Sequence, residues 1–302
     1  MTDIRATSPD TVEAWHSDNS LPYVRAVGKT FKAILRTPVG GVSVAVLLIL
    51  FLFSFVGPVI YQTSPDEISV NYLSSPSLSH LGGTDTLGRD TLARLMHGGQ
   101  ISFTVAIASG LLGLIIAFPL GVVSGYARGV TDNVVMRIMD TVYSFPTILL
   151  ALGIVAVLGR GLDMIIIAIS ISGIPPIARI VRGQVLAVRE TEYIQSARSS
   201  GATNARILAL HVSPNVLSPA IVQVTIVMSR AILTEASLAF LGAGVAAPQA
   251  TWGGMLLEAF PRMRIDASQT FIPGMFVVAL VLALNLFGDV VRDVLDPRLK
   301  GA

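Results

Sequence analysis

Cysteine and histidine, which commonly act as nucleophiles or metal ligands, are absent or few in this sequence. It contains no cysteine, and its four histidines are scattered as His16, His80, His97 and His211. No two of them have the spacing of metal ligands, so we expect no metal site. The apolar segments hold no serine–histidine or paired-aspartate arrangement, and the chain lacks the Gly-x-x-x-x-Gly-Lys-Ser/Thr loop that holds nucleotide phosphates. We therefore do not expect the chain to be an enzyme.

Two ionisable residues, Arg230 and Glu235, interrupt an otherwise apolar segment. A charge in such a segment is costly and usually faces a cavity, a pathway or another subunit. The two residues are about 140° apart on a helix with about 3.6 residues per turn, so we expect no direct ion pair. For Glu235 we consider a structural role near the outer end, a place in a pathway, or contact with an external binding protein. For Arg230 we consider a partner subunit or a water-filled pathway.

The composition indicates a membrane protein. The chain has 302 residues, of which 52% are hydrophobic and 13% are charged, whereas soluble domains carry about 25% charged residues. Long uncharged runs point the same way, since about 20 apolar residues cross a bilayer. No basic stripe interleaved with aromatic residues is present, so we expect membrane lipid and no nucleic acid as a partner.

Six apolar segments predict an all-α fold with six transmembrane helices. They cover residues 39–60, 101–126, 134–158, 164–181, 216–241 and 271–287. Pro146 interrupts the third segment, and Pro175 and Pro176 break the fourth, because proline removes a backbone donor. Between these two segments, the sequence Gly159-Arg160-Gly161 predicts a tight turn.

The distribution of basic residues predicts the orientation. With the N-terminus inside, the inner segments hold fifteen lysines and arginines and the outer segments hold five. Because basic loops stay in the cytoplasm, both termini and the loop over residues 182–215 are expected there. On the outer side, residues 84–96 predict an amphipathic helix on the membrane surface, and Trp252 predicts an interfacial anchor.

The loop over residues 182–215 predicts two short helices joined by a glycine turn. Thr191 is expected to cap a helix that begins at Glu192, and Gly201 to end it in the left-handed conformation. Thr203 is expected to cap a second helix, which Pro214 ends. The apolar face of that second helix would comprise Ile207, Leu208 and Leu210. Small side chains in the first helix favour insertion into a groove of a partner, although a solvated hairpin is the alternative.

This loop resembles the EAA motif of permease subunits of bacterial ABC importers, in the form found in the dipeptide/oligopeptide branch. The matching residues are Glu192, Tyr193, Ala197, Arg198, Gly201, Ala202, His211, Pro214 and Asn215. Similar segments of the C-type peptide permease subunit are found, in the same order, over residues 83–102, 132–146, 235–256 and 285–298. We refer to residues 190–215 as the EAA loop.

The resemblance implies the architecture and the partners. It implies a type I ABC importer transmembrane domain in a bacterial inner (cytoplasmic) membrane, with residues 101–302 as the core. The apolar and basic residues predict residues 1–38, which the resemblance does not cover, as a cytoplasmic tail, and residues 39–100 as the first span and an outer segment. The partners would be a second, homologous permease, two ATP-binding subunits and an extracytoplasmic substrate-binding protein. ATP and magnesium would bind to the ATPase subunits, so this chain would need no cofactor.

The resemblance also assigns the site. The residues that couple to the ATPase would be Glu192, Tyr193, Ala197, Arg198, Gly201, Ala202, Pro214 and Asn215. For Arg230 and Glu235, whose roles are inferred from their charge within a span and not from the resemblance, the path and the binding protein stay open as contacts. The substrate stays open among dipeptides, oligopeptides, metal chelates, glutathione and haem. The alternative functions are a secondary transporter or a channel that acts without ATPase partners.

Overall fold

The computed structural model describes residues 32–295, and in that range it is all-helical, with no strand. The predicted tail is described only from residue 32, and neither terminus lies in the described range. The helices are α1 (Pro38–Phe55), α2 (Gly57–Ile60), α3 (Thr91–Ala127), α4 (Gly129–Tyr143), α5 (Thr147–Leu158), α6 (Leu162–Val188), α7 (Glu192–Ser199), α8 (Asn204–Ile207), α9 (Ser213–Phe240), α10 (Trp252–Ala259) and α11 (Ser268–Leu295).

Five continuous helical segments of the described chain are long and apolar enough to cross a membrane. They are Pro38–Ile60, Thr91–Ala127, Leu162–Val188, Asn204–Phe240 and Ser268–Leu295. The helices α4 and α5 form a bent pair with an angle of 88° between them, and this pair makes the sixth crossing when it is counted as one span. The prediction of an all-α membrane fold with six spans is therefore confirmed, with one span broken into two helices.

Pro146 explains the bend between α4 and α5. It lies at the N-cap of α5, and the residue before a proline is pushed away from helical geometry. The prolines of α6 act differently, since the helix continues through Pro175 and Pro176. The prediction that they break the fourth span is wrong, because the surrounding helices hold α6 in place. Its side chains there are buried against α3 and α9, with Ile177, Ala178 and Val181 inaccessible to solvent.

The ends of the helices meet in two groups. At one end, Ile34 packs on the last turns of α11, while the EAA loop and the start of α4 lie beside the end of α3. At the other end, the start of α3 packs on α10, where the indole Nε1 of Trp252 donates to the carbonyl of Leu95 at 2.8 Å. The bent pair runs from the first group to the second. The start of α4 contacts α3 in the first group, and Val155 of α5 packs near Leu238, close to the end of α9, in the second.

Two predictions for the second group of ends are wrong. Residues 84–96 do not form a separate surface helix: a turn precedes α3, which begins at Thr91 and continues into the span, with Leu95 and Met96 buried. Trp252 is not an interfacial anchor, because its side chain is fully buried against α3 and α11. In both places the apolar side chains were identified correctly, but they pack against other helices of the protein and not against the membrane surface.

Candidate functional site

The first helix of the EAA loop ends in a glycine turn, as predicted. Gly201 has φ +80°, in the left-handed region that residues with a Cβ seldom adopt. Its amide donates to Arg198 O at 3.0 Å, and the amide of Ala202 donates to Ala197 O at 3.1 Å. This pair of bonds is a Schellman motif, which satisfies carbonyls at a helix end. The turn thereby fixes the direction in which the chain leaves α7.

The start of α7 differs from the prediction. Thr191 has extended geometry at the N-cap, but its side chain makes no capping bond. The hydroxyl instead donates backwards to Val188 O at 2.6 Å. Thr191 thus ties α7 to the last turn of α6, while Glu192 keeps a favourable acidic position in the first turn.

The second helix of the loop is capped as predicted but does not end at Pro214. Thr203 accepts from the amide of Arg206 at 3.4 Å and caps α8. A π-helical segment over Leu208–Val212 then leads directly into α9, and Pro214 lies in the first turn of that helix. The prediction of a break is wrong, because the π-helical segment carries the helix past Pro214, which supplies no N–H of its own. The loop is therefore continuous with a transmembrane helix.

The EAA loop is held by two buried isoleucines and leaves its motif residues accessible. Ile194 and Ile207 are fully buried in a cluster formed by α3, α6 and α9. Of the predicted apolar face of α8, Leu208 packs on this cluster, whereas Leu210 is exposed. The predicted coupling residues Glu192, Tyr193, Arg198, Gly201, Pro214 and Asn215 are exposed, and Ala197 and Ala202 are half-buried. The accessible residues form a surface that nothing in the described chain covers.

Tyr126, in the last turn of α3, connects the loop to the spans. Its hydroxyl donates to Asn204 Oδ1 at 2.8 Å and accepts from Arg198 Nη2 at 3.2 Å. The guanidinium of Arg198 and that of Arg189 each lie 5.7 Å from the centre of the phenol ring. Arg189 also donates to the Tyr126 carbonyl at 2.6 Å. A residue outside the predicted motif thus links both helices of the loop to α3.

A charged contact joins α4 to α6 near the same end. Arg182 binds Asp132 in a bidentate manner, with both N–O distances 2.6 Å, and Ser124 of α3 donates to the same carboxylate at 2.5 Å. Bidentate arginine–carboxylate pairs are strong and geometrically specific. Three helices around the EAA loop are therefore fixed relative to one another.

The two ionisable residues of α9 have different surroundings. Glu235 is fully buried, and neither of its carboxylate oxygens has a hydrogen-bond partner among the described residues. Arg230 is exposed and lines a cavity beside the bend between α4 and α5. As predicted, the two do not form an ion pair with each other. Glu235 is buried and does not line that cavity. Of the three roles considered for it, this favours the structural one.

Comparison with known proteins identifies the family. A family model described as the binding-protein-dependent transport system inner membrane component matches residues 117–301. The chain belongs to this family. Its matched region contains the EAA loop, α9 and the bent pair, so the surface described above lies within the part that the family shares.

Curated relatives of this permease extend the similarity towards its N-terminus. A protein of Brucella suis biovar 1 with the provisional name of peptide transport system permease is 41% identical over 277 residues, which is 90% of this chain and 92% of the relative. The dipeptide transport system permease protein DppC of Alkalihalophilus pseudofirmus is 36% identical over 273 residues, 90% of each chain. The glutathione transport system permease protein GsiD of Pectobacterium atrosepticum is 42% identical over 225 residues, 74% of this chain and 75% of the relative.

A solved structure shares the fold of the permease. The MetNI methionine ABC transporter, in an inward-facing conformation, matches with a TM-score of 0.57 and 24% identity. The match covers 67% of this chain and 97% of the other. The permease therefore has the transmembrane fold of this ABC transporter. The family match and the names of the relatives identify it as a multi-span subunit of a transport system, which disfavours the alternative of a transporter or channel acting alone.

At the other end of the permease, a buried ion-pair cluster was not anticipated from the sequence. Arg94 is 2% exposed and contacts Glu258 at 3.2 Å and Asp85 at 3.4 Å. Arg89 bonds to the same two carboxylates. The cluster joins the start of α3 to α10. A spacing argument could not reveal it, because Glu258 is more than 160 residues further along the chain than either arginine.

A second contact caps α3 at that end. Asp90 Oδ1 accepts from the amide of Ala93 at 2.8 Å, and Asp90 Oδ2 accepts from the hydroxyl of Tyr61 at 2.7 Å. Burial, assisted by the hydrogen bond to Asp90, raises the pKa of the Tyr61 phenol. Tyr61 therefore remains a donor at neutral pH, and it ties the end of α2 to the first turn of α3.

Proposed function

We propose that the chain forms half of the translocation path of an ATP-driven peptide importer. The names of its relatives, which refer to peptide, dipeptide and glutathione transport systems, support a substrate with peptide bonds. The observation that carries the coupling role is the EAA loop, whose motif residues are accessible although its isoleucines are buried in the spans. Such a surface, rigid and uncovered, suits a partner groove.

In this proposal the loop transmits force and carries no catalytic group. ATP and magnesium bind to two partner ATPase subunits, each of which receives the short helix of one permease. Because α8 continues through the π segment into α9, a displacement of the loop is carried directly to a spanning helix. Tyr126 carries it to α3 in parallel.

The remaining partners follow from the same proposal. A homologous second permease completes the path as a heterodimer, and an extracytoplasmic binding protein delivers the substrate. Exposed apolar side chains along the bent pair, including Val134, Ile138, Phe145 and Leu149, suit lipid or the second permease. The assembly lies in the inner membrane of a bacterium, with the EAA loop in the cytoplasm.

The change Gly201→Asp tests the docking role. A Cβ at Gly201 meets no heavy atom of the described chain within 4 Å, so the new side chain begins in open space and its internal cost is the strain of the left-handed backbone. We expect loss of ATP-dependent uptake or of ATPase subunits that copurify with the permease, while membrane insertion stays normal.

The change Gly242→Asp provides a matched control. Gly242 has φ +77°, forms the same turn after α9, and is equally open in the chain, but it lies at the other end of the helices. Normal uptake and assembly in the Gly201 variant would contradict the proposal. An equal loss in both variants would also contradict it, because the cause would then be backbone strain and not docking.

A further inference from the structure

A cavity of about 350 Å³ lies beside the bend between α4 and α5. Its walls come from the bend itself, from the middle of α6 and from α9. The lining includes Tyr143, Ser144, Thr147, Ser172, Arg230 and Thr234. The cavity exists because the bend interrupts the sixth crossing, so that helix packing is incomplete at this level.

Arg230 is the only charged residue that lines this cavity. It is exposed, and no carboxylate of the described residues lies within 4 Å of its guanidinium. Ten residues separate it from the end of α9 at Phe240, which corresponds to about 15 Å along a helix. That distance places Arg230 near the middle of a hydrocarbon layer about 30 Å thick. An arginine at such a depth is costly unless an anion or water faces it.

Besides the cation of Arg230, the cavity is lined by residues that can accept hydrogen bonds. Four residues with hydroxyl groups line it: Ser144, Thr147, Ser172 and Thr234. The hydroxyls of Ser144, Ser172 and Thr234 donate to backbone carbonyls, so their oxygens keep lone pairs as acceptors. Pro176 has no backbone N–H, so the Ser172 carbonyl lacks its usual intrahelical donor. The cavity is thus lined by a residue of α6 with a spare acceptor and by a cation of α9, which is the pattern that a peptide with N–H groups and a free carboxylate complements.

We propose that Arg230 binds the carboxylate of the substrate as the substrate passes through the membrane, and that the acceptors around Ser172 bind its N–H groups. This inference rests on the proposed function as a peptide importer. A lipid phosphate offers a similar anion, but its headgroup lies at the membrane surface, about 15 Å from this level. An acidic side chain of the second permease is the other possible partner of Arg230, and the experiment separates it.

The test uses the complete transporter in proteoliposomes. The probes are alanyl-alanine, tri-alanine and penta-alanine, each compared with its C-terminal amide at saturating binding protein, so that capture does not limit the rate. We expect Arg230→Gln to lower the maximal uptake rate of the free acids at least tenfold and to leave the slower rate of the amides unchanged. Arg230→Lys should restore part of the rate. Arg160→Gln, in the exposed turn between α5 and α6, is the matched control and should behave as wild type.

Four outcomes would overturn the inference. Wild-type rates in Arg230→Gln would show that no site exists. An equal loss for acids and amides would indicate a lipid or general structural role. Loss of the second permease from the purified complex would indicate an ion pair between subunits. If the wild-type complex imports none of the peptides in the presence of ATP, the proposed function itself fails, and this inference fails with it.

Discussion

The contact between Tyr126 and the EAA loop allows a quantitative test of coupling. The change Tyr126→Phe removes the hydroxyl, which bonds to Asn204 and Arg198, and leaves the ring beneath Arg189 and Arg198. A neutral hydrogen bond contributes about 1 kcal/mol, and one to a charged group about 1.5–3 kcal/mol. Because these groups are exposed to solvent, we take the lower values and expect a total loss of about 2 kcal/mol. Since 1.4 kcal/mol is tenfold, the equilibrium for undocking the loop should rise by about 30-fold.

Hydrogen exchange measures this change at the glycine turn. The amides of Gly201 and Ala202 are bonded within the Schellman motif, and their exchange should accelerate by about 30-fold if it requires undocking. The number of peptides imported per ATP hydrolysed should fall, because a loosely held loop transmits less of its displacement. Tyr72→Phe is the control, since Tyr72 is exposed and makes no hydrogen bond within the described residues. Unchanged exchange at both amides, or an equal acceleration in the control, would refute the reasoning.

Two further changes test other parts of the structure. Glu258→Gln removes a carboxylate shared by Arg89 and Arg94. Because the Glu258 side chain is 39% exposed and Asp85 still pairs with both arginines, we expect about 1 kcal/mol of destabilisation. It should be seen as a lower melting temperature in detergent, and an unchanged melting temperature would contradict the assignment. Gly201→Ala should weaken the turn by about 1 kcal/mol, whereas Gly201→Asn should cost less because asparagine adopts the left-handed region more readily. Hydrogen exchange at Ala202 would distinguish them, and equal rates in the two variants would count against a conformational role for the glycine.

The sequence allowed the spans to be predicted because the apolar segments are long and nearly free of charge. What it did not reveal is how each proline is used. Pro146 bends a crossing by 88°, while Pro175 and Pro176 lie inside a continuous helix. The local rule is the same in both cases, but α6 is held by buried contacts on α3 and α9, whereas α4 and α5 are mostly exposed. That difference is tertiary and has no local signal.

The EAA loop was predicted well where the chemistry is local. The left-handed glycine and the Thr203 cap depend on a few neighbouring residues, and both were identified. The contribution of Tyr126 was missed because it is more than 70 residues from its partners in the loop. A tyrosine at the end of an apolar span is typical of a residue at the membrane interface. Its position in the sequence does not indicate which loop it contacts.

The length of α3 has a mechanical consequence. Its 37 residues extend about 55 Å, which is nearly twice the hydrocarbon thickness of about 30 Å. Arg94 lies in its first turn and Tyr126 in its last, so one helix touches both the ion-pair cluster and the EAA loop. A tilt of about 5° around its centre would swing the two ends by about 2.4 Å in opposite directions without breaking an internal bond. Pro119 leaves the Ile115 carbonyl without a donor. Because it lies nearer to the Tyr126 end than to the centre of α3, bending at Pro119 would reduce the displacement that reaches Tyr126.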